Sequence, residues 1–443
     1  MDMDKILMQE GASTSAINIS NIDYHGDISN SNTNGNDNDN GNGSTTITTI
    51  RSRSLSNPNE YTEKYILLDP GNHPPAHFKS RMTAFRYNIR STLAKFVDNQ
   101  SPSLAKWQSS HRSSFNDFFF SYSALLGSHT FYVLCLPLPC YFGLFEFTRD
   151  TVYIIGYSIY ISGLLKDYLC LPRPRSPPVH RITLSEYTAK EYGAPSSHTA
   201  NAIGVCLLIL QWAFTSHTVT LNMKIILTVI AIIYCVTLTL GRIYCGMHGL
   251  FDLISGAIVG LICFIIRIIL KYTFMDFNCG DFFWYPLISM SWGLFILFNH
   301  PEPIDVCPCF YDSVAFIGVI SGFELCDWFI KYFGFSLIYS FDYTTDIVIL
   351  SRRLIVGLLV TILWKYVVAK PLIYTVLFNV LGFEDDRDLD EHDDPLPGEH
   401  ECKIFKGNSN VNIVGRFLIY GGIPMSVLVI SPAVVTVVAE YIY

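Results

Sequence analysis

Polar side chains able to act on a phosphate group gather in three short clusters, each at the end of a strongly apolar run. The clusters hold Lys166 and Arg173, then Ser196, Ser197 and His198, then Arg242, His248 and Asp252. Charged groups are costly at the ends of membrane helices, so a chain that keeps them there is expected to use them. These eight residues are the candidate site.

Phosphate is the ligand that these residue types favour. Lys166, Arg173 and Arg242 supply cations that can neutralise the equatorial oxygens of a phosphoryl group. Ser196 and Ser197 stand at the start of a predicted helix, where free backbone N–H groups and the helix dipole attract anions. The combination predicts a phosphate-binding site.

The two histidines add the means to break a phosphate ester. His198 and His248 offer a proton donor and a nucleophile. His248 and Asp252 are four residues apart on a helix start and share a face, so the carboxylate can hold one ring nitrogen while the other attacks. No metal-ligand set and no other cofactor is needed, so the prediction is a metal-independent phosphoric monoester hydrolase.

Each feature taken singly has an ordinary structural explanation. Arg173-Pro174 could be a loop dipeptide, Ser-Ser-His a helix cap, His248 with Asp252 a structural pair, and Lys166 a snorkelling side chain. If the helices cross the membrane once each, however, the 151–170, 199–215, 224–243 and 249–271 runs bring all three clusters to one face. That common face favours a shared site.

Apolar runs of the length that crosses a bilayer, roughly 20 residues, recur from residue 114 onward. Half of the 443 residues are hydrophobic and 15% are charged, against about 25% in an ordinary soluble domain. The composition predicts an all-α, polytopic transmembrane helix bundle of about eight or nine spans. The runs are 114–147, 151–170, 199–215, 224–243, 249–271, 283–299, 313–331, 353–382 and 414–440.

The chain divides by composition into four parts. Residues 1–60 are rich in Asn, Ser, Thr and Gly and are predicted to be a disordered tail. Residues 61–113 are basic and could form amphipathic helices on the membrane surface or plain solvated helices. Residues 114–275 are the predicted catalytic membrane core, whose first run Pro137 and Pro139 interrupt, and residues 276–443 supply additional transmembrane helices.

The net charge and the cysteine content limit the classes of partner that the sequence predicts. The net charge of −8 gives no electrostatic support for a nucleic-acid partner, and the membrane and a lipid phosphate are the partners expected. Cys307 and Cys309 stand beside His300 and Asp305, but their spacing fits no standard zinc pattern, so no metal site is predicted. The sequence leaves the oligomeric state open.

The three clusters resemble the signature of the type 2 phosphatidic acid phosphatase superfamily, which reads Lys-x6-Arg-Pro, Pro-Ser-Gly-His and Ser-Arg-x5-His-x3-Asp. Ser197 replaces the glycine of the second part and Gly241 the serine of the third. Neither change removes a charged group, although Gly241 removes one possible hydroxyl contact to phosphate.

The resemblance implies a role for each site residue. His248 would attack phosphorus and form a phosphohistidine, Asp252 would support it, and His198 would protonate the leaving alkoxide and then activate water. The phosphoryl oxygens would be held by Lys166, Arg173, Ser196, Ser197 and Arg242.

The wording around the motifs, YGAPSSHTANA and GRIYCGMHGLFDLISG, resembles the fungal sphingoid long-chain base 1-phosphate phosphatases. That family implies hydrolysis of dihydrosphingosine, phytosphingosine or sphingosine 1-phosphate at a lumenal site in the endoplasmic reticulum membrane. Two alternatives stay open: a broad-specificity phosphatase acting on phosphatidate or an isoprenoid phosphate, and a non-enzymatic lipid-binding or transport protein.

Charged residues outside the site indicate which side of the membrane the site faces. They also include candidates for binding an amine group of the substrate. Basic residues near 267–271 and 352–353 are predicted to lie opposite the site, which places the site away from the cytosol. The basic 79–112 segment is also expected to be cytosolic, which conflicts with a single crossing by the first run. Glu302, Asp305 and Asp312 are candidates for binding an amine, or belong to an ordinary loop.

Overall fold

The computed structural model describes residues 69–217, 219–274, 282–305, 307–335, 341–385 and 410–442. The predicted tail at 1–60 lies outside these residues. Throughout the described ranges every regular element is helical, which confirms the all-α class.

The described part of the N-terminal half contains ten α-helices. They are α1 (Pro75–Lys79), α2 (Ala84–His111), α3 (Ser114–Ser123), α4 (His129–Cys135), α5 (Leu138–Tyr141), α6 (Phe145–Leu169), α7 (Glu186–Ala189), α8 (Ser197–Thr215), α9 (Leu221–Tyr244) and α10 (Leu250–Phe274). A single 3₁₀ turn, Ala124–Gly127, links α3 to α4.

The described part of the C-terminal half adds six more α-helices to the bundle. They are α11 (Tyr285–Phe298), α12 (Cys309–Tyr332), α13 (Ile347–Leu363), α14 (Ala369–Asn379), α15 (Asn410–Met425) and α16 (Ser431–Ile442). Single π-helical segments, Trp364–Val368 and Ser426–Ile430, join α13 to α14 and α15 to α16. Helices α6 and α12 pack at the centre, and α12 meets α15 so closely that a Cβ at Gly322 would lie 1.9 Å from the Gly421 carbonyl oxygen.

Among the described residues, six helices are long and apolar enough to cross a membrane, and the number is seven if one bent pair counts as a span. The expected eight or nine spans is therefore slightly too high by this measure. Helix α6 falls outside it because it carries buried charges along its length, and α11 falls outside it because it has 14 residues.

The bent pair is the first apolar run. Its two halves, Ser114–Gly127 and His129–Tyr141, meet at an angle of 58°. The Ser113 amide donates to the Tyr244 hydroxyl at the C-terminus of α9, whereas Gly143 packs against the backbone of Tyr343 shortly before α13 begins. The run therefore crosses the bundle once as a broken span.

Charges near the other ends of the helices are paired inside the bundle. Arg149 of α6 lies 3.3 Å from both Glu324 and Asp327 of α12. Asp150 pairs with Arg267 of α10 at 2.7 Å. Buried charges are tolerated only with such partners, so these pairs fix α6 against α10 and α12.

The face where α6 ends, α8 begins, α9 ends and α10 begins is called the site face below. Helix α2 lies across it: Arg86 Nη2 donates to the Asp167 carbonyl at 2.6 Å, and Arg90 Nη2 donates to the Gly71 carbonyl at 2.7 Å. The basic 79–112 segment therefore lies on the same side as the site, so the expectation of a cytosolic segment and that of a site away from the cytosol exclude each other. Its arginines bond to backbone carbonyls of the site-face loops.

Candidate active site

Lys166 and Arg173 enter the site from the end of α6. Lys166 occupies the last turn of this helix, which Cys170 terminates in the left-handed conformation with φ 49°. Arg173 follows in the loop and donates to the carbonyl oxygens of Glu191 at 2.8 Å and Met247 at 2.7 Å. Both cations are buried, and these backbone contacts hold the Arg173 guanidinium in one orientation.

Glu191 is a site residue that the sequence did not single out. Its carboxylate forms an ion pair with Lys166 Nζ and lies 3.8 Å from Arg173 Nη2. The sequence did contain a signal for it. Glu191 is five positions before Ser196, so it would lie beside the cationic clusters once they converge. Glu191 therefore pairs with two of the three cations that are predicted to bind phosphate.

The N-terminus of α8 supplies the second cluster. Ser196 is its N-cap: the hydroxyl oxygen accepts from the Thr199 amide at 3.4 Å, and the Ser196 amide donates to the Asp252 carbonyl at 3.0 Å. The Ser196 side chain thus caps the helix, and Ser197 is the first helical residue. This end of α8 directs its dipole and first N–H groups into the site.

His198 is held by the 3₁₀ turn before α4. A Cβ placed on Gly127 would lie 2.4 Å from His198 Cδ2 and 3.0 Å from Nε2. The glycine is therefore needed for the close approach of this turn. Gly127 lies at the break in the first span, so the break brings its backbone into contact with the His198 ring.

His248 is oriented by contacts on both of its ring nitrogens. Nδ1 lies 3.3 Å from Asp252 Oδ2, and Nε2 lies 3.3 Å from Arg173 Nη1. A guanidinium can only donate, so Nε2 is the acceptor and Nδ1 carries the proton that faces Asp252. This tautomer exposes the Nε2 lone pair toward the cations, as a nucleophile at phosphorus requires.

Burial and neighbouring charges keep His248 neutral. Desolvation is the largest cause that lowers its pKa well below the usual 6.5, followed by the positive charges of Arg173, Lys166 and Arg242. Burial also lowers the pKa of Arg173, to about 10, so the guanidinium stays charged at neutral pH. The site therefore combines an uncharged imidazole with fixed cations.

Arg242 ends α9 and is 5% exposed. Its Nε makes no hydrogen bond to any residue in the described part of the chain. A buried donor without a partner is costly, which marks it as a group that an anionic ligand would satisfy. The neighbouring Gly241, where the signature has serine, lets Phe120 of α3 approach: a Cβ there would lie 3.2 Å from Phe120 Cδ1.

The structure thus brings all eight predicted residues to one face. Lys166, Arg173 and Arg242 each act electrostatically on His198, and the first two also act on Asp252. Asp252 is fully buried and accepts from the Gly249 amide at 3.0 Å, so its position relative to His248 is fixed by the backbone. The Ser196 hydroxyl caps α8, which is the structural explanation that the sequence also allowed for Ser-Ser-His.

The two other clusters of potential metal ligands lie outside these residues. Cys307 and Cys309 form a disulfide bridge, which occupies both sulfur atoms. Within the described ranges the remaining set is His73, His77 and Asp305, whose ligand atoms lie within 4.8 Å of one another. The sequence did not indicate this set, which joins the segment before α1 to the loop before α12.

Comparison with known proteins identifies the family of this chain. The PAP2 superfamily model matches residues 148–276. A dihydrosphingosine 1-phosphate phosphatase of Saccharomyces cerevisiae is 50% identical over 374 residues, which cover 84% of this chain and 92% of the relative. The chain belongs to the PAP2 superfamily. The matched residues include all eight site residues and run from α6 beyond the end of α10.

More distant relatives are named for the same kind of reaction. A dihydrosphingosine 1-phosphate phosphatase of Schizosaccharomyces pombe is 33% identical, over 64% of this chain and 69% of the relative. A sphingosine-1-phosphate phosphatase 2 of Homo sapiens is 28% identical, over 49% of this chain and 53% of the relative. No solved structure is a significant match.

Proposed function

We propose that this chain removes the phosphate from sphingoid long-chain base 1-phosphates through a phosphohistidine on His248. The observation that carries the mechanism is the neutral His248, with Nδ1 on Asp252 and Nε2 facing the cations. The PAP2 family and the names of its relatives support the lipid phosphatase activity and the substrate class.

In the proposed mechanism each of these residues has one role. His248 Nε2 attacks phosphorus, the bond to the lipid oxygen breaks, and His198 donates a proton to the departing alkoxide. Water deprotonated by His198 then attacks the phosphohistidine, which releases inorganic phosphate and restores both histidines. Lys166, Arg173 and Arg242 neutralise the charge that develops on the phosphoryl oxygens, and the chemistry needs no metal.

The assay that tests this proposal uses the purified full chain in detergent, with chelator present. We expect phosphate release from dihydrosphingosine 1-phosphate and, at equal concentration, at least about tenfold lower kcat/KM for phosphatidate, a difference of about 1.4 kcal/mol in transition-state binding. Comparable turnover of both would favour the broad-specificity alternative. Turnover of neither would support a non-enzymatic lipid-binding role, and turnover lost with chelator would contradict the metal-independent mechanism.

We further propose an endoplasmic reticulum location with the site face toward the lumen. The buried disulfide between Cys307 and Cys309 lies on the site face, and disulfides persist in oxidising compartments such as the lumen. Lys271, at the end of α10, and Arg353, near the start of α13, lie on the opposite side, where the positive-inside tendency places cytosolic charge.

Cysteine labelling in sealed microsomes would test that orientation. A cysteine replacing exposed Lys79 on the site face should react with a membrane-impermeant maleimide only after detergent is added. A cysteine replacing Tyr343, exposed before α13, should react in the sealed vesicles. The reverse pattern would place the site in the cytosol.

A further inference from the structure

Glu191 places a carboxylate among the cations that are predicted to bind phosphate. It forms an ion pair with Lys166 Nζ, and its Oε2 lies 3.8 Å from Arg173 Nη2. The Glu191 side chain is 9% exposed, and the side chains of both cations are buried still further. A carboxylate at this position competes with phosphate for both cations, and the proposed mechanism gives it no role.

The backbone near Glu191 holds the carboxylate beside these cations. The Glu191 carbonyl accepts from Arg173 Nε at 2.8 Å. Two residues later, a Cβ at Gly193 would lie 2.5 Å from the Pro172 carbonyl oxygen. The segment that carries Glu191 therefore packs directly against the loop that carries Arg173, so the carboxylate stays within reach of the cations.

The carboxylate is also close to the proposed nucleophile. One guanidinium group, that of Arg173, contacts both: its Nη1 lies 3.3 Å from His248 Nε2, and its Nη2 lies 3.8 Å from Glu191 Oε2. These two nitrogen atoms belong to the same small planar group. A phosphoryl group held between His248 and the cations would therefore have the Glu191 carboxylate as a near neighbour.

A phosphate ester without an amine would meet this carboxylate as a like charge. A phosphomonoester carries a charge of about −1.5 to −2 at neutral pH, and like charges brought together away from water repel strongly. Lys166 and Arg173 would then have to neutralise the phosphate and Glu191 together. This repulsion is relieved if the substrate itself brings a positive charge beside its phosphate.

A sphingoid long-chain base 1-phosphate brings that charge. One oxygen and two carbon atoms separate its ammonium nitrogen from phosphorus, so the ammonium group enters the site together with the phosphate. We propose that Glu191 binds the ammonium group and thereby selects sphingoid base phosphates over phosphates that lack an amine. Lys166 turns from Glu191 toward the phosphate, and the ammonium group takes its place at the carboxylate. The assignment rests on the proposed phosphatase function and specifies the substrate class of the same site.

Two of the acids that the sequence offered for amine binding have other contacts. Asp305 lies 2.9 Å from His77, so it anchors α1. Asp312 lies 3.6 Å from the Nδ1 atom of His129, the first residue of α4. Glu191 differs from both because ion pairs join it to two cations of the phosphate site.

The assignment is tested with two substrates of equal chain length. Wild type and Glu191→Gln are assayed on dihydrosphingosine 1-phosphate and on octadecyl phosphate, which has no amine. We expect Glu191→Gln to lower kcat/KM about 10- to 100-fold on the amine substrate, the size of a lost hydrogen bond between charged groups. On octadecyl phosphate kcat/KM should stay the same or rise, because the repulsive element is removed. N-acetyl-dihydrosphingosine 1-phosphate, whose nitrogen is uncharged, should respond to the substitution as octadecyl phosphate does.

Inhibition by inorganic phosphate gives a measurement that does not depend on the lipid. In Glu191→Gln, phosphate no longer meets a carboxylate at Lys166 and Arg173, so its inhibition constant should fall at least about threefold. If Glu191 only positioned the two cations, the same substitution would weaken phosphate binding. Asp98→Asn removes an exposed acid that pairs with Arg175, and this matched control should change neither quantity by much.

The other results contradict the assignment in different ways. Equal loss on both substrates, with weaker inhibition by phosphate, would make Glu191 a positioning residue for the cations. No loss on either substrate would show that the carboxylate does not bind the ammonium group. Glu191→Asp keeps the charge on a shorter side chain and should retain part of the preference for the amine, so a preference as low as that of Glu191→Gln would also overturn the proposal. Wild-type protein that hydrolyses neither lipid phosphate would instead refute the proposed phosphatase function, and the assignment with it.

Discussion

Replacing His248 by alanine is expected to lower kcat by at least about 10³-fold, because the protein then lacks the nitrogen atom that accepts the phosphoryl group. The His248 Nε2 lone pair is available at neutral pH, since burial and the Arg173 guanidinium depress the pKa of this histidine. Substrate binding should persist, because the cations of α6 and α9 are untouched. The measurements are kcat and KM on dihydrosphingosine 1-phosphate.

Trapping the intermediate separates His248 from His198. Wild-type protein quenched during turnover of phosphorus-labelled substrate should carry label that is stable in base and lost in acid, as a phosphohistidine is. His248→Ala should carry none. His198→Ala, which lacks the proton donor and the base for hydrolysis, should turn over slowly but still be labelled. Label retained in His248→Ala would contradict its assignment as the nucleophile.

A matched histidine controls for nonspecific damage. His180 lies on the same face with an exposed side chain, and only its backbone amide and carbonyl bond to Gln108. His180→Ala should therefore keep activity within about twofold, since an exposed substitution away from such contacts changes little. A similar loss in both variants would show that the effect of His248→Ala does not report on chemistry.

The membrane fold was predictable because helix length and hydropathy are properties of a single segment. The runs that begin at 199, 224, 249 and 313 became α8, α9, α10 and α12 with ends shifted by a few residues. Convergence of the three clusters also followed, since it needs only that consecutive helices alternate in direction. Both inferences rest on local pattern and on the bilayer as solvent.

The placement of α2 could not be read in the same way. Its basic residues look like topogenic charge, yet Arg86 and Arg90 bond to carbonyl groups that are exposed only because α6 ends at Leu169. Those carbonyls belong to a helix end that lies 80 to 82 positions further along the chain. The sequence shows the donors without their acceptors, so charge alone could not place the segment beside the site.

Glu191 was missed for a related reason. It gains meaning only from Lys166, which lies 25 positions earlier in the chain and meets it in the folded protein. The break that brings Gly127 against His198 is likewise a tertiary feature, although Pro137 and Pro139 indicated that the first run is irregular. Site residues that belong to the signature were found, and Glu191, which lies outside the signature, was not.

Substituting Arg242 is expected to lower the activity strongly and to change the stability little. Its Nε is buried without a hydrogen-bond partner in the described part of the chain, so the free protein bears a desolvation cost that the bound phosphoryl group would offset. Arg242→Met is expected to lower kcat about 10²- to 10³-fold, the usual effect of removing one donor to developing negative charge. The thermal midpoint should stay the same or rise, because an unpaired buried charge is replaced by an apolar side chain.

Activity and thermal midpoint measured on the same preparations separate a phosphate ligand from a structural arginine. Arg175→Met is the matched control, since Arg175 is 48% exposed in a pair with Asp98 and should change neither quantity by much. Arg242→Lys should recover only part of the loss, because lysine restores the charge without the planar fork of donors. A thermal midpoint that falls in step with activity in Arg242→Met would show that this arginine holds the fold together, and the phosphate-binding role would then pass to Lys166 and Arg173.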